Sequence, residues 1–143
     1  MSVVLDASVT LSWAFSDETT ADLDRILERV AEEGALVPPL WRYEVANGML
    51  TAFRRGRMSA SLRSRFLDLV EQLPIEVVAG AQRPEDLVRV GQQYQLSAYD
   101  AAYLELALDR GADLATVDQA LAAAGRDAGL AVLPSHASGR QAL

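Results

Sequence analysis

The feature that most constrains the fold is a set of short apolar runs in which apolar and polar residues do not alternate. The runs at 3–5 and 35–37 consist of valine, leucine and alanine, and each is followed by an acid or a proline. Such runs are typical of strands that are buried on both faces of a parallel sheet. Further strands are predicted at 75–78, 113–116 and 130–133. A sheet of this kind requires helices on both of its faces.

Amphipathic helices are predicted between these strands. Leu23, Ile26, Leu27 and Val30 recur at the spacing of one helix face, and Gly34 follows where such a helix would end. Strands that alternate with helices predict an α/β fold. We therefore expect a three-layer α/β/α sandwich around a mainly parallel, five-stranded sheet.

The length of the chain and its N-terminus predict one domain and no membrane segment. A chain of 143 residues is long enough to bury one core, and we place the domain at 1–133 and a flexible C-terminal tail at 134–143. Asp6 interrupts the only apolar stretch near the N-terminus, so neither a secretory signal nor a membrane span is indicated. The expected location is the cytoplasm. The absence of cysteine excludes disulfides and thiolate metal sites.

Four acids lie beside strongly apolar sequence at the ends of predicted elements, and in chain order they are Asp6, Glu44, Asp100 and Asp118. Each of them alone has a structural explanation, because acids commonly cap helices or lie in a first helical turn. However, Asp6 follows the first predicted strand and Asp118 follows the fourth. Ligand crevices of open parallel sheets lie beyond the carboxyl ends of the strands. We therefore expect the acids to converge at that edge of the sheet.

Clustered carboxylates of this kind repel one another. Two charges about 4 Å apart repel by about 4 kcal/mol at an effective dielectric constant near 20. Such a cluster must take up protons, spread out or bind a cation, and hard oxygen ligands suit Mg²⁺ or Mn²⁺. The net charge of −7 argues against a protein that coats nucleic acid electrostatically. A phosphate substrate would therefore need positive charge supplied locally.

Four motifs contain these acids and occur in a fixed order along the chain. They are VLDAS at 4–8, PLWRYEVAN at 39–47, SAYDAAYLELA at 97–107 and LATVD at 114–118. Together they resemble the motifs of PIN-domain ribonucleases, in particular the VapC-type toxins of bacterial toxin–antitoxin pairs. The resemblance covers nearly the whole chain and supports the PIN-like version of the α/β/α fold.

The resemblance implies an acidic quartet around one or two Mg²⁺ or Mn²⁺ ions, whose catalytic and metal-binding members are Asp6, Glu44, Asp100 and Asp118. Ser8 and Thr116 match positions that support such a site. Asn47 matches a frequent polar position one helical turn after Glu44, and a packing role explains it equally well.

The implied activity is that of a metal-dependent endoribonuclease acting as a toxin. Metal-activated water would attack the RNA phosphodiester and leave 5′-phosphate and 3′-hydroxyl ends. A cognate antitoxin protein and a homodimer are implied in the same way. Open alternatives are a non-catalytic PIN-fold interaction module and a related nuclease for RNA maturation or DNA. A receiver domain or a haloacid-dehalogenase-like phosphatase would use a lysine, which this chain lacks.

Positive charge is concentrated in one stretch of the chain. All 13 basic residues are arginine, and several lie between 42 and 65, where the only acid is Glu44. Candidates for contact with the RNA backbone are Arg42, Arg54, Arg55 and Arg57, because guanidinium pairs well with phosphate. A solvated helix face or a subunit contact explains the stretch equally well. Aromatic residues on which unpaired bases could stack are Trp13, Phe15, Trp41, Tyr43 and Tyr99.

Overall fold

The computed structural model describes residues 2–80 and 82–135. Residues 136–143, including His136, lie outside the described part, so the flexible tail at 134–143 stays a prediction. Within the described residues, no helix combines the length and the apolar character that a membrane span would require.

Five parallel strands form one sheet, as the sequence predicts. The strands are β1 (Val3–Leu5), β2 (Ala35–Val37), β3 (Ile75–Val77), β4 (Asp113–Ala115) and β5 (Val132–Leu133). Their order across the sheet is β3-β2-β1-β4-β5, and every neighbouring pair is parallel. The chain builds outward from β1 to β3 and then returns to the other side of β1. The two directions of connection therefore diverge between β1 and β4, where crevices form in such sheets.

The last strand is shorter than predicted. Residues 130–133 were all expected in β5, but the strand covers Val132–Leu133 alone. The Leu130 N–H donates to the Gly125 carbonyl at 2.9 Å, so this residue belongs to the C-terminal closure of the preceding helix. Strands β3 and β4 also end one residue earlier than predicted.

Helices cover the sheet, and there are seven in the described residues. They are α1 (Ala7–Ser12), α2 (Ala21–Glu33), α3 (Leu40–Arg54), α4 (Ala60–Gln72), α5 (Pro84–Tyr94), α6 (Ala98–Arg110) and α7 (Gln119–Asp127). Hydroxyl caps begin three of them, since Thr20, Ser59 and Ser97 each accept a backbone N–H three residues on. Gly34 and Gly111 adopt positive φ where α2 and α6 end.

The core is centred on β1 and α6. Val3, Val4 and Leu5 are all completely buried, although successive side chains of a strand point to opposite faces. Both faces of the sheet are therefore covered, as the three-layer prediction requires. Tyr103 and Leu104 of α6 are buried to the same degree, and α6 packs against β1 and β4. This packing brings α6 to the place where the connections diverge.

Candidate functional site

Asp6 lies at the carboxyl end of β1 and is held there by hydrogen bonds. Its backbone N–H donates to the Ala115 carbonyl at 2.9 Å, which extends the pairing of β1 with β4 by one residue. Its carboxylate Oδ2 accepts the hydroxyls of Ser8 at 2.6 Å and Thr116 at 2.8 Å. Asp6 is an N-cap by position, yet its side chain makes no capping hydrogen bond. The carboxylate is therefore oriented by the two hydroxyls and faces the sheet edge.

Burial raises the pKa of Asp6, which is only 6% exposed. The hydroxyl hydrogen bonds from Ser8 and Thr116 oppose this rise, and the negative charge of Asp118 adds to it. The net direction is upward. A carboxylate that accepts two hydroxyls and still resists ionisation is one that a nearby cation would stabilise.

Asp118 lies on the other side of the crevice, at the start of α7. Its Oδ2 accepts the Leu121 N–H at 2.9 Å, so it caps the helix as its position allows. Its own N–H donates to the Thr116 hydroxyl at 3.0 Å, and the Val117 N–H donates to the Ser8 hydroxyl at 3.1 Å. Ser8 and Thr116 thus join the loop after β4 to the carboxylate after β1. Both hydroxyls contact the candidate acids, and their supporting role in catalysis stays a prediction.

Glu44 approaches from α3 and is half-buried. Its Oε1 accepts the hydroxyl of Tyr103, a residue of α6, at 2.6 Å. Burial raises the pKa of Glu44, the Tyr103 hydrogen bond opposes that rise, and the charge of Asp6 adds to it. The influence of Asp6 shows that the two acids face the same region although 38 residues separate them in the sequence.

Asp100 lies in the first turn of α6. Burial, followed by the charges of Asp118, Asp6 and Glu44, raises the pKa of Asp100 to about 6. Within residues 2–80 and 82–135, no group donates a hydrogen bond to its carboxylate; the Ser97 hydroxyl accepts only its backbone N–H. Asp100 therefore bears the repulsion of the other three acids without an internal donor to offset it.

These four acids are electrostatically coupled and have the right chemistry for a hard divalent cation. All the available side-chain ligands are carboxylate or hydroxyl oxygens, which suit Mg²⁺ or Mn²⁺. In the described residues, however, no three acidic or histidine side chains already stand close enough to form a metal site. An ion would have to draw the carboxylates together. The residues suit a divalent ion in the type of their ligand atoms and in their unbalanced negative charge. They do not form a coordination shell in advance.

The other predicted site residues have no hydrogen bond or ion pair with the four acids among the described residues. Asn47 is exposed on α3, and its side chain makes no hydrogen bond with the described part of the chain, so the structure does not connect it to the acids. Arg57 is already engaged: it contacts Asp17 at 3.0 Å and Glu18 at 2.8 Å, and its guanidinium lies 4.3 Å from the centre of the Phe15 ring.

The other three arginine candidates are exposed and form no ion pair within the described residues; they are Arg42, Arg54 and Arg55. Among the aromatic candidates, Trp13 is partly buried. Trp41 and Phe15 are buried in the core, whereas Tyr43 is 77% and Tyr99 is 67% exposed. Each exposed tyrosine immediately precedes an acid of the quartet in the sequence.

Sequence reasoning did not identify Tyr103 as part of the site. It lies in an apolar helix face and looks like a core residue, which by burial it is. The available signal was its position one helical turn after Asp100, because residues three apart share a helix face. That spacing places its ring on the side of α6 that carries Asp100.

The chain is an α/β protein with an open parallel sheet, and its four acids lie around the switch point, where proteins of this class form their ligand crevices. The profile of the PIN domain matches residues 3–127. The chain therefore belongs to the PIN-domain family.

Two proteins from Pyrobaculum aerophilum are similar to this chain, one in sequence and one in structure. Ribonuclease VapC3 is 29% identical over 124 residues, which cover 85% of this chain and 93% of that protein. The crystal structure of PAE2754 has a TM-score of 0.66 and 23% identity, covering 87% of this chain and 84% of the other. The structural likeness supports the fold.

Proposed function

We propose that the protein is a Mg²⁺- or Mn²⁺-dependent endoribonuclease that acts as the toxin of a toxin–antitoxin pair. The observation that carries this proposal is the group of coupled acids at the switch point, three of which have raised pKa values. The similarity to a protein named as a VapC ribonuclease supports RNA as the substrate. Hydrolysis of RNA at this site requires positive charge, which the four carboxylates do not supply.

The residues have distinct parts in this proposal. Asp6 and Asp100 are the principal metal ligands, because one is oriented by two hydroxyls and the other has no donor within the described residues. Glu44 is a further ligand or accepts a proton from water. Asp118 acts through its second oxygen or through water, since Oδ2 caps α7. When bound, a divalent ion supplies an activated water and neutralises phosphate charge.

RNA would approach where arginines and exposed aromatic rings flank the acids. Arg42 and Tyr43 lie in the first turns of α3, and Tyr99 lies in the first turn of α6. A guanidinium can pair with backbone phosphate, and an exposed ring can stack on an unpaired base. Arg54 and Arg55 at the end of α3 could extend the phosphate contact. Arg57 is less available because two acids hold it.

Protein partners are also part of the proposal, namely a cognate antitoxin and a second copy of this chain. Leu50 and Phe53 on α3 are 48% and 66% exposed, and with Tyr43 they recur at spacings of seven and three along one side of the helix. An exposed apolar stripe of this kind is commonly covered by another protein. It supports a partner on α3.

Metal removal and restoration test the proposed activity. Purified protein should cleave single-stranded RNA in Mg²⁺ or Mn²⁺, lose cleavage in excess EDTA and regain it when the ion is added in excess. Mapping the new RNA ends should find 5′-phosphates. Cleavage that is indifferent to both EDTA and added ion would contradict the metal-dependent mechanism. Persistent absence of RNA cleavage in the presence of either ion would instead favour the non-catalytic interaction module.

The toxin role has a separate test in cells. Induced expression should arrest growth and produce new RNA 5′ ends, and co-expression of the protein encoded by the adjacent small reading frame should prevent both. The Asp6→Asn, Asp100→Asn double variant is the matched control, and it should arrest nothing while still binding that protein. Growth arrest by the double variant would contradict a nuclease toxin.

A further inference from the structure

The hydroxyl of Tyr103 is a buried polar group whose partner is an acid of the site. The residue is completely buried, and its hydroxyl donates to Glu44 Oε1 at 2.6 Å. A buried hydroxyl without a partner is costly, typically by about 1–3 kcal/mol. The hydroxyl donates to Glu44, and its oxygen also accepts the backbone N–H of Ala7. The contact joins α6 to α3 across the core.

The surroundings fix both ends of this contact. Tyr103 is packed on β1 through α6, so its ring has little freedom. On α3, Trp41 lies one turn before Glu44, and its indole N–H donates to the Thr10 hydroxyl at 3.0 Å. The start of α3 is therefore tied to α1, which follows Asp6 directly. Both partners of the hydrogen bond are therefore held in place: Glu44 by the start of α3 and the Tyr103 phenol by the packing of α6.

From this geometry we propose that Tyr103 is a positioning residue, which holds Oε1 of Glu44 so that Oε2 would be available to a divalent ion. The assignment rests on the proposed metal-dependent function. A phenol suits this role because it is a neutral donor, whereas an arginine or lysine would bring a competing positive charge. Hydrogen bonds to metal-ligating carboxylates orient them, and their loss typically weakens metal affinity 10–100-fold.

The direct test measures Mn²⁺ binding without RNA, by electron paramagnetic resonance. The Tyr103→Phe variant keeps the ring and removes the hydroxyl, and it should bind Mn²⁺ about tenfold more weakly than the wild type. Cleavage should need correspondingly more Mn²⁺ and reach a similar maximal rate. Tyr94→Phe is the matched control, since its hydroxyl contacts only Gln93 within the described residues, and it should leave Mn²⁺ binding unchanged.

A double-mutant cycle separates positioning from general support of the fold. Glu44→Ala should weaken Mn²⁺ binding, and adding Tyr103→Phe to it should cause little further loss, because the hydroxyl acts through Glu44. Equal losses from Tyr103→Phe in both backgrounds would overturn the assignment, as would wild-type affinity in the single variant. A wild type that binds no Mn²⁺ and cleaves no RNA would overturn the proposed function itself, and the assignment with it.

A second measurement leaves Tyr103 in place and covers the case in which its variant does not fold. Replacing Tyr43, Tyr94 and Tyr99 with phenylalanine leaves Tyr103 as the only tyrosine of the chain. With 3-fluorotyrosine incorporated, its ¹⁹F signal should shift saturably as Mg²⁺ is added. The shift should disappear in the Glu44→Ala background. A signal that ignores Mg²⁺ while the protein binds the ion would overturn the assignment.

Discussion

The acids at the two ends of β4 differ in whether a positive side chain pairs with them. At its start, Asp113 pairs with Arg29 of α2 at 2.8 Å, and Arg29 also contacts Glu33 at 3.2 Å. Beyond its other end, Asp118 joins Asp6 and the two helical acids. Within the described residues, none of those four acids forms an ion pair.

This contrast separates a structural acid from candidate functional ones. At the first edge the chain supplies its own cation, so the charge of Asp113 is balanced in the folded protein. At the second edge the chain supplies hydroxyls and a phenol, which orient carboxylates and add no positive charge. In the part of the chain that the structure describes, no positive side chain pairs with these acids, and RNA alone would worsen the imbalance. Substitutions at the two edges should therefore have different effects.

The largest expected effect is the loss of cleavage when the unpaired acids are neutralised. Asp6→Asn or Asp100→Asn should lower Mg²⁺-dependent cleavage by at least about 100-fold, because each removes a ligand to the ion. Cleavage should be measured with a fluorescent RNA substrate at saturating Mg²⁺. Asp113→Asn is the matched control at the other end of β4, and it should retain activity per folded molecule. Equal losses in all three variants would remove the distinction between the edges.

The hydroxyls that orient Asp6 should have the next largest effect. Ser8→Ala and Thr116→Val each remove one donor to Oδ2 and are expected to weaken metal affinity by roughly 10–100-fold. Isothermal titration with Mn²⁺ measures this directly. Ser12→Ala removes another buried hydroxyl, one that donates to the Val9 carbonyl in α1, and should not change affinity. Unchanged Mn²⁺ affinity in both Ser8→Ala and Thr116→Val would show that these hydroxyls are not needed to orient the Asp6 carboxylate.

At the opposite edge, the expected loss is in stability. Asp113→Asn removes the charge of one carboxylate that contacts the partly buried Arg29 guanidinium and should lower the free energy of unfolding by about 1–2 kcal/mol. Urea unfolding at pH 7.5 in EDTA is the measurement. Arg29→Leu should cost a similar amount, and the double variant should cost less than the sum. Strict additivity would mean that the pair contributes nothing to stability.

Replacing Asp100 should raise the free energy of unfolding, whereas replacing Asp113 should lower it. Its folded pKa of about 6 lies above the ordinary value of 3.8, so the native state binds this proton more tightly than the unfolded state does. Ionisation of Asp100 therefore removes stability as pH rises from about 4 to above 6. Asp100→Asn should gain about 1 kcal/mol at pH 7.5 without metal, a magnitude reduced by solvent screening.

The pH dependence of this gain provides the check. It should shrink as pH falls through 6 and vanish near 3, below the ordinary pKa of 3.8, where the wild-type carboxyl is neutral in the folded and largely neutral in the unfolded protein. Saturating Mn²⁺ should reverse the order and make the wild type the more stable of the two. Asp127→Asn, at an exposed acid on α7, should change little under either condition. A destabilised Asp100→Asn variant in EDTA would contradict the unbalanced charge.

Local rules were sufficient to predict much of the fold and part of the site. Buried β-branched runs predict the strands, and an acid directly after such a run lies at the carboxyl edge of the sheet, which places Asp6. The cap residues Thr20 and Ser97 are likewise predictable, because a hydroxyl three residues before a free N–H is a local arrangement.

Contacts between distant segments were beyond those rules. Arg57 was a candidate for RNA contact, but it pairs with acids about 40 residues earlier in the chain, which no local pattern reveals. The hydroxyl of Tyr103 donates to Glu44, which is 59 residues away in the sequence. The apolar pattern of α6 therefore gives no indication of this hydrogen bond. Leu130 was expected in β5 because it is apolar, whereas helix closure takes its N–H.

The most direct test of the unbalanced edge is a crystal structure of the protein soaked in Mn²⁺, with anomalous scattering to locate the ion. The account predicts a peak coordinated by Asp6 and Asp100, with Glu44 and Asp118 nearby, and no peak at Asp113. The absence of a peak at the carboxyl edge, or a peak at Asp113 alone, would contradict it.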